Sequence, residues 1–200
     1  MYDVLIIGGG VAGVSCALVL GSAVNKPFMQ DKSIGIIAHQ KASSLQQALF
    51  NNAYGIPAGT LGSDLLNSSV AHLAETYPHI EQMKGEKVLA VRGAAPDFTV
   101  ETNKNTYRAK NVVVAVGYAN TFQIDGLMQY VQPHAKTPAA KARIQLANQD
   151  HLIAPGLYVA GNLAGWRSQL SIAAGSGAAV ATDLLTLFNE GSHAQSHDKI

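Results

Sequence analysis

The sequence predicts an α/β fold in which a parallel sheet carries a small antiparallel meander. Three observations favour it. The apolar run 4–7 leads directly into glycines in G-x-G-x-x-G spacing and then into an apolar helix. Two later apolar runs, 111–117 and 156–161, end in glycine and are typical of parallel strands that are buried on both faces. Residues 87–108 instead alternate between apolar and polar, as strands with one exposed face do.

The glycine motif predicts a bound dinucleotide. Gly8 permits the tight turn, Gly10 lets a pyrophosphate approach the backbone, and Gly13 lets the helix lie close to the strand. The helix begins at Val11 and Ala12, where unpaired N–H groups and the positive end of the helix dipole favour phosphate.

The second strand, 33–38, lacks the acidic residue that binds the ribose in this fingerprint. His39, Gln40 and Lys41 follow the strand, whereas Asp31 precedes it. The ribose contact therefore falls to His39 or Gln40. Lys41 suits a 2′-phosphate, which leaves a phosphorylated nicotinamide dinucleotide open as the ligand.

The middle of the chain continues with a loop, a helix and the meander. Residues 43–60 are predicted to form a functional loop, and Ser63 or Asp64 to cap a helix that ends near Tyr77. Three short strands make up the meander: 87–91, 98–102 and 107–108. Val88, at the start of the first of these strands, is a candidate cofactor contact.

The last third of the chain is predicted to begin with mixed secondary structure and to continue with a strand, a loop and a long helix. A helix at 139–142 and a strand at 143–146 are expected within 118–150, followed by a strand at 156–161 and a loop at 162–167. The long helix that follows begins at Gln169. Its Gly/Ala-rich portion carries Asp183 and indicates a buried helix rather than a membrane span.

Composition excludes several classes of function. Lys and Arg number 14 against 13 Asp and Glu, without a basic cluster, so a nucleic-acid partner is not expected. The single cysteine, Cys16, cannot form an internal disulfide and favours a reducing cytoplasm. His193 and His197 have i, i+4 spacing but lie in a polar tail, so no metal site is expected. Two hundred residues fit one domain.

The order of these segments resembles the FAD-binding domain of the thioredoxin reductase-like, two-dinucleotide-domain flavoproteins. In that family an A-T-G strand end lies against the flavin, and Ala115-Val116-Gly117 resembles it. The A-G-D segment, whose aspartate holds the ribityl chain, resembles Ala160-Gly161-Asn162. The R-Q-A segment at the flavin pyrimidine resembles Arg167-Ser168-Gln169-Leu170, and 173–177 resembles the S-A-G-T-G that follows.

The resemblance implies a three-layer ββα Rossmann-like domain spanning 1–200, with the meander 87–108 inserted, and FAD as cofactor. The cofactor-binding residues so predicted are Gly8, Gly10, Val11, Ala12, Gly13, His39, Gln40, Lys41, Gln46, Asn52, Val88, Ala115, Val116, Gly117, Gly161, Asn162, Arg167, Ser168, Gln169 and Leu170.

Further side chains are candidates for the flavin end of the site. Gln46, Asn51, Asn52 and Tyr54 come from the first loop, and Trp166, Arg167 and Gln169 from the last. Trp166 suits stacking on the ring or a packing role equally well. Arg167 is expected to raise the flavin potential. Tyr118 and His134 are weaker candidates, the latter as a general base. No catalytic residue is assigned.

The chain departs from the family in two respects. Only about 40 residues separate Gly117 from Tyr158, where the family inserts its NADPH domain, and no C-x-x-C is present. The expected function is a single-domain FAD oxidoreductase fed by NAD(P)H or by a redox protein, without nucleic acid or membrane and with a homodimer plausible. The alternatives are a non-catalytic flavin-binding sensor, carrier or subunit, and an NADP-binding dehydrogenase.

Overall fold

The chain begins with a strand–helix–strand unit. A computed structural model describes residues 1–39 and 43–194. Strand β1 (Tyr2–Ile7) leads into helix α1 (Val11–Ser22), and β2 (Ile34–Ala38) returns parallel to β1. The predicted strands and helix are therefore present, each within two residues of its expected bounds.

Residues 43–84 contain more regular structure than the sequence predicts. The predicted loop holds a hairpin of β3 (Leu49–Phe50) and β4 (Thr60–Leu61). Helix α2 (Gly62–Thr76) begins after Leu61, so the predicted cap at Ser63 or Asp64 is wrong, and both residues lie in the first turn. Strand β5 (Ile80–Lys84) was not predicted, because an edge strand carries polar residues that mask its pattern.

The predicted meander forms, with one change of boundary. Its strands are β6 (Val88–Ala94), β7 (Asp97–Thr102) and β8 (Thr106–Val114). The stretches predicted separately at 107–108 and 111–117 are one strand. The first half of β8 pairs with β7, and the second half enters the central sheet beside β1.

The connection to the last helix is built of short strands. These are β9 (Val131–Pro133), β10 (Ile144–Leu146), β11 (Leu152–Ala154) and β12 (Leu157–Val159), of which β9 and β11 were not predicted. The helix expected at 139–142 is a single 3-10 turn, Ala139–Lys141. Helix α3 (Leu170–Phe188) follows.

The three-layer arrangement is confirmed. The central sheet has the order β11-β12-β8-β1-β2-β5, and all of its pairs are parallel except β11 with β12. One face, with Val4 and Ile6, packs against α1 and α3. The other face, with Leu5 and Ile7, packs against the meander and the segment 124–146. The carboxyl ends of the parallel strands meet at one edge of the sheet, where a ligand binds in such folds.

Helix α3 is long and apolar enough to span a membrane by length and composition. Its closest neighbour is α1, and Val180, Ala181, Leu184 and Leu185 are buried in the core between helices and sheet. Of the apolar stretch, 33% is buried inside the protein, so one face of α3 packs in the core.

Candidate functional site

The glycine turn after β1 is shaped by close backbone contacts. Gly8 has φ of 121°, and a Cβ there would overlap the Ala115 carbonyl. A Cβ at Gly13 would overlap the carbonyl oxygen of Gly8, which fixes α1 against the strand end. At Gly10 a Cβ would meet nothing within 4 Å, so this residue faces open space. Backbone atoms therefore pack closely against Gly8 and Gly13, whereas Gly10 is open.

Helix α3 packs against the start of α1 through a second glycine contact. A Cβ at Gly177 would overlap the carbonyl oxygen of Ala12. The Ser15 hydroxyl donates to the Ala174 carbonyl at 2.8 Å, which joins the two helices a turn further along. The interior of α3, at Gly177, therefore packs against the first turn of α1 at the carboxyl edge of the sheet.

The ends of β8 and β12 complete this edge. The Ala115 N–H donates to the Ile7 carbonyl, which places 115–117 beside the glycine turn. Gly161 lies close to Ala12, and its N–H donates to the Ser176 hydroxyl at 2.7 Å. The structure thus brings together the predicted residues of the glycine turn, the end of β8 and Gly161. Ser176 was missed, because a single serine in a helix gives no signal in the sequence.

Asn162 is the polar side chain that stands out at this edge. Its Oδ1 is buried and has no hydrogen-bond partner within the described residues. Its own carbonyl accepts from the Gly165 N–H. An unpartnered buried amide oxygen is costly unless a ligand donates to it, so this atom is placed to accept from a bound hydroxyl.

His134 holds the loop that contains Asn162. Its Nε2–H lies 3.1 Å from the Asn162 carbonyl and 3.2 Å from the Trp166 carbonyl, and both oxygens can only accept. Its Nδ1 accepts from the Lys136 N–H and lies 3.1 Å from the Thr137 hydroxyl. Both ring nitrogens are thus used in structural bonds, and the predicted role of His134 as a general base is wrong.

Four cationic side chains form what we call the cationic rim: Lys136, Lys141, Arg143 and Arg167. The Lys136 ammonium lies 4.3 Å from the centre of the Trp166 ring, and the Arg143 guanidinium lies 5.1 Å from that of Tyr118. Within residues 1–39 and 43–194, none of the four forms an ion pair. Residues 126–149 and 151–182 contain no Asp or Glu. The rim is therefore an uncompensated positive surface.

The start of α3 differs from the sequence interpretation in detail. The Gln169 side chain accepts from the Ile172 N–H at 3.0 Å and so caps its own helix. Arg167 and Ser168 are exposed, and the Arg167 guanidinium points to the Lys136 carbonyl at 3.4 Å. Leu170 begins the helix. Gln169 therefore serves the helix end, while Arg167 belongs to the cationic rim.

The other predicted residues lie at this edge, apart from it or outside the described residues. His39 is exposed at the carboxyl end of β2 and so lies at this edge, whereas Gln40, Lys41 and His197 lie outside the described residues. Gln46, Asn51, Asn52 and Tyr54 are exposed on the segment 43–61, whose contacts are mainly with α2. Val88 is buried in the core beneath the sheet.

The remaining candidate groups are the cysteine and the potential metal ligands, and neither forms a reactive site within the described residues. Cys16 is buried in α1, and burial raises the pKa of its thiol to about 12, so it stays protonated. Across the described chain, no three His, Cys, Asp or Glu side chains are placed to hold a metal ion.

The residues at the carboxyl edge fit a dinucleotide. Gly10 faces open space at the start of α1, where phosphates bind, and the Asn162 amide oxygen lacks a donor at the other end of the same edge. This spacing suits a ligand with a diphosphate and a polyhydroxylated chain.

Comparison with known families identifies the family to which the chain belongs. The family model described as pyridine nucleotide-disulphide oxidoreductase matches residues 2–177. The chain belongs to this family. The match confirms the resemblance drawn from the motifs.

Curated relatives extend well beyond this chain. The uncharacterized oxidoreductase CzcO of Bacillus velezensis is 28% identical over 144 residues, 67% of this chain and 41% of that protein. The ferredoxin–NADP reductase of Limosilactobacillus fermentum is 32% identical over 117 residues, 58% of this chain and 34% of that protein. The chain spans about two fifths of the length of these relatives.

Solved structures confirm the fold. A thioredoxin reductase from Gloeobacter violaceus superposes with a TM-score of 0.75 at 16% identity, covering 100% of this chain and 99% of that one. An oxidoreductase from Agrobacterium tumefaciens gives 0.74 at 13% identity, covering 96% and 99%. The fold is therefore that of the thioredoxin reductase-like flavin-binding domain.

Proposed function

We propose that this chain binds FAD and is the flavin-binding part of an oxidoreductase. The buried, unpartnered Oδ1 of Asn162 carries the proposal, because it can accept from a ligand hydroxyl at the same edge as the open glycine turn. The ribityl chain of a flavin supplies such hydroxyls. The relatives point the same way, since they are oxidoreductases and one is a ferredoxin–NADP reductase.

Each part of the site has a distinct task in this proposal. The open face at Gly10 and the first N–H groups of α1 hold the diphosphate. Asn162 accepts from the ribityl chain, and His134 keeps the Asn162 loop in position through two carbonyls. If the resemblance of 167–170 to the family's segment holds, the positive end of the α3 dipole would stabilise negative charge on the pyrimidine part of the ring. FAD, when bound, supplies the hydride and electron chemistry.

The positive charge of the cationic rim favours an electron donor that carries negative charge. Lys136 lies over the ring of the exposed Trp166, Arg167 follows this residue in the chain, and no acidic residue lies in the same segments. Positive charge at the mouth of a site attracts anions and raises their association rate. NADH, NADPH and an acidic redox protein all carry the required charge, so the donor is one of these.

The first test is the visible absorption spectrum of the purified chain, reconstituted with FAD and then mixed anaerobically with NADH or NADPH. We expect flavin bands and their bleaching by a nicotinamide. Bands that do not bleach would favour the non-catalytic sensor, carrier or subunit. The absence of bound flavin, with thermal stabilisation by NADP⁺ alone, would favour the dehydrogenase.

The second test concerns the donor and uses charge reversal on the rim. We expect Lys136→Glu with Lys141→Glu to slow reduction of the flavin about tenfold or more at low ionic strength, with the difference vanishing as salt rises. Lys104→Glu is the matched control, because Lys104 is exposed near Gly85, which follows the outer strand β5 on the other side of the sheet from β12. Equal slowing by the control would contradict a role for the rim.

A further inference from the structure

A cavity that is open to solvent lies between Trp166 and helix α3. Its volume is about 210 Å³, and it is lined by His151, Trp166, Ile172, Gly175, Ser176 and Ala179. The lining is predominantly apolar, and four of its residues, spaced i, i+3, i+4 and i+7, share one face of α3. An apolar cavity of roughly 150 Å³ suffices to bind benzene, so the volume here is large enough for a single six-membered ring with one side in solvent.

His151 supplies the polar group of this cavity. The side chain is only 7% exposed, and its Nδ1 lies 2.9 Å from the Val159 carbonyl. A carbonyl can only accept, so Nδ1 carries a hydrogen, and in the tautomer that has its only ring hydrogen on Nδ1, Nε2 is an acceptor. Within residues 1–39 and 43–194, no protein group hydrogen-bonds to Nε2.

The backbone around His151 holds the ring in place. Its N–H donates to the Asn148 side chain, and its carbonyl accepts from the Val159 N–H. On the opposite wall, Trp166 is 42% exposed, and its ring lies 6.0 Å from that of His151 with an angle of 30° between the planes. The cavity therefore offers an aromatic wall and one fixed acceptor.

We propose that this cavity is a binding site for a small planar ring that bears a hydroxyl group, a phenol. The ring fills the apolar space between Trp166 and Ile172, and its hydroxyl donates to Nε2 of His151. A hydroxyl donor is specified because the only unpartnered polar atom of His151 is an acceptor. The site adjoins the dinucleotide edge, because its Ser176 hydroxyl accepts from the Gly161 N–H, but its hydrogen-bond acceptor, His151, is not among the residues assigned to the cofactor.

The test uses Trp166 as a reporter. It is the only tryptophan, so the purified full-length chain gives one indole N–H signal in a ¹H–¹⁵N spectrum. We expect phenol to shift this signal saturably. Anisole, which has the same ring and oxygen but no hydroxyl hydrogen, is expected to bind about 3- to 10-fold more weakly, the effect of one hydrogen bond. Equal affinity for phenol and anisole would overturn the assigned hydrogen bond.

Two variants locate the binding. A Cβ at Gly175 meets nothing within 4 Å, so Gly175→Val fits the helix and fills the cavity, and we expect phenol affinity to fall about tenfold or more. Ala179→Leu fills it from the next turn and has the same expected effect. Ser171→Val, on the exposed face of the same helix, is the control and should leave the affinity unchanged.

Two results would overturn the proposal. One is an unaltered phenol response in both filled variants. The other is a dimer in sedimentation that Gly175→Val converts to a monomer, because a second copy would then occupy this cavity.

Discussion

The two ends of the carboxyl edge are held in different ways. At the phosphate end, Gly8, Gly13 and Gly177 bring backbone against backbone, and the contact depends on the absence of side chains. At the flavin end, the loop 161–167 is held by a side chain, His134, which bonds two carbonyls from 28 and 32 residues away. The glycine spacing of the first device is a local signal in the sequence, although Gly8 contacts Ala115 and Gly177 contacts Ala12, whereas the bonds of His134 leave no such signal. This difference determines which substitutions destabilise each end. It also determines how readily each end is predicted from the sequence.

The largest expected effect is at the phosphate end. Gly13→Ala places a methyl group on the Gly8 carbonyl, and backbone cannot move aside as a side chain can, so we expect a loss of about 3 kcal/mol or more in the free energy of unfolding. Urea unfolding measures it.

Gly10→Ala is the matched control. Its new methyl group enters open space, so we expect a stability change within about 0.5 kcal/mol. FAD affinity should nevertheless fall about tenfold or more, because the methyl stands where the diphosphate approaches. If both variants lost stability equally, the distinction between packing and binding glycines would be wrong.

At the flavin end we expect a smaller but clear effect. His134→Phe keeps a ring against Tyr118 but leaves two carbonyls without their donor, which should lower the free energy of unfolding by about 2 to 3 kcal/mol. His72→Phe, on the exposed surface of α2, is the control and should have little effect. An unchanged urea midpoint for His134→Phe would mean that other contacts hold the loop.

Asp3 lies at the amino end of β1, away from both ends of the site. A change at Asp3 therefore tests the stability of the fold without altering the site. Burial alone would raise the pKa of Asp3, but the Ser33 N–H and the Lys110 ammonium outweigh it and hold the pKa below its ordinary value. The carboxylate therefore stabilises the fold above the unfolded pKa of about 3.9, and this contribution is lost as the pH falls through the folded pKa.

Asp3→Asn should accordingly cost about 1 to 3 kcal/mol at neutral pH, and the difference from the parent should shrink below about pH 4. FAD affinity should be unaffected. Glu75→Gln, exposed on α2, is the control for a general charge effect. A difference that grows in acid would contradict the sign of the pKa shift.

The smallest expected effect is at Asn162. Because its Oδ1 has no partner in the protein, Asn162→Ala should change the stability of the cofactor-free chain by less than about 1 kcal/mol. FAD affinity should fall about 3- to 10-fold, the effect of one hydrogen bond. Calorimetric titration separates the two quantities. A large loss of stability with unchanged affinity would make Asn162 a structural residue.

Sequence reasoning predicts the phosphate end well because its information is local. Spacing alone identified Gly8, Gly10 and Gly13, and the apolar runs located the central strands. The flavin end was predicted mainly through a resemblance, and the part of His134 was missed because its partners lie far along the chain. Strand β5 was missed because an edge strand carries Glu81 and Lys84 in place of an apolar run.

The Gln169 cap was missed for a related reason. A glutamine at a helix start fits a ligand contact and a helix cap equally well, and only the 3.0 Å contact to the Ile172 N–H distinguishes them. The sequence around Val88 indicates a strand but does not distinguish a cofactor contact from a core position. The structure places Val88 in the core beneath the sheet.

The most direct test of the central claim is a calorimetric titration of the cofactor-free chain with FAD and, separately, with NADP⁺. We expect one equivalent of FAD to bind with a Kd of about 1 μM or below, a free energy of about −8 kcal/mol, and NADP⁺ to bind far more weakly. Tight binding of NADP⁺, or no heat of binding with FAD, would contradict the account.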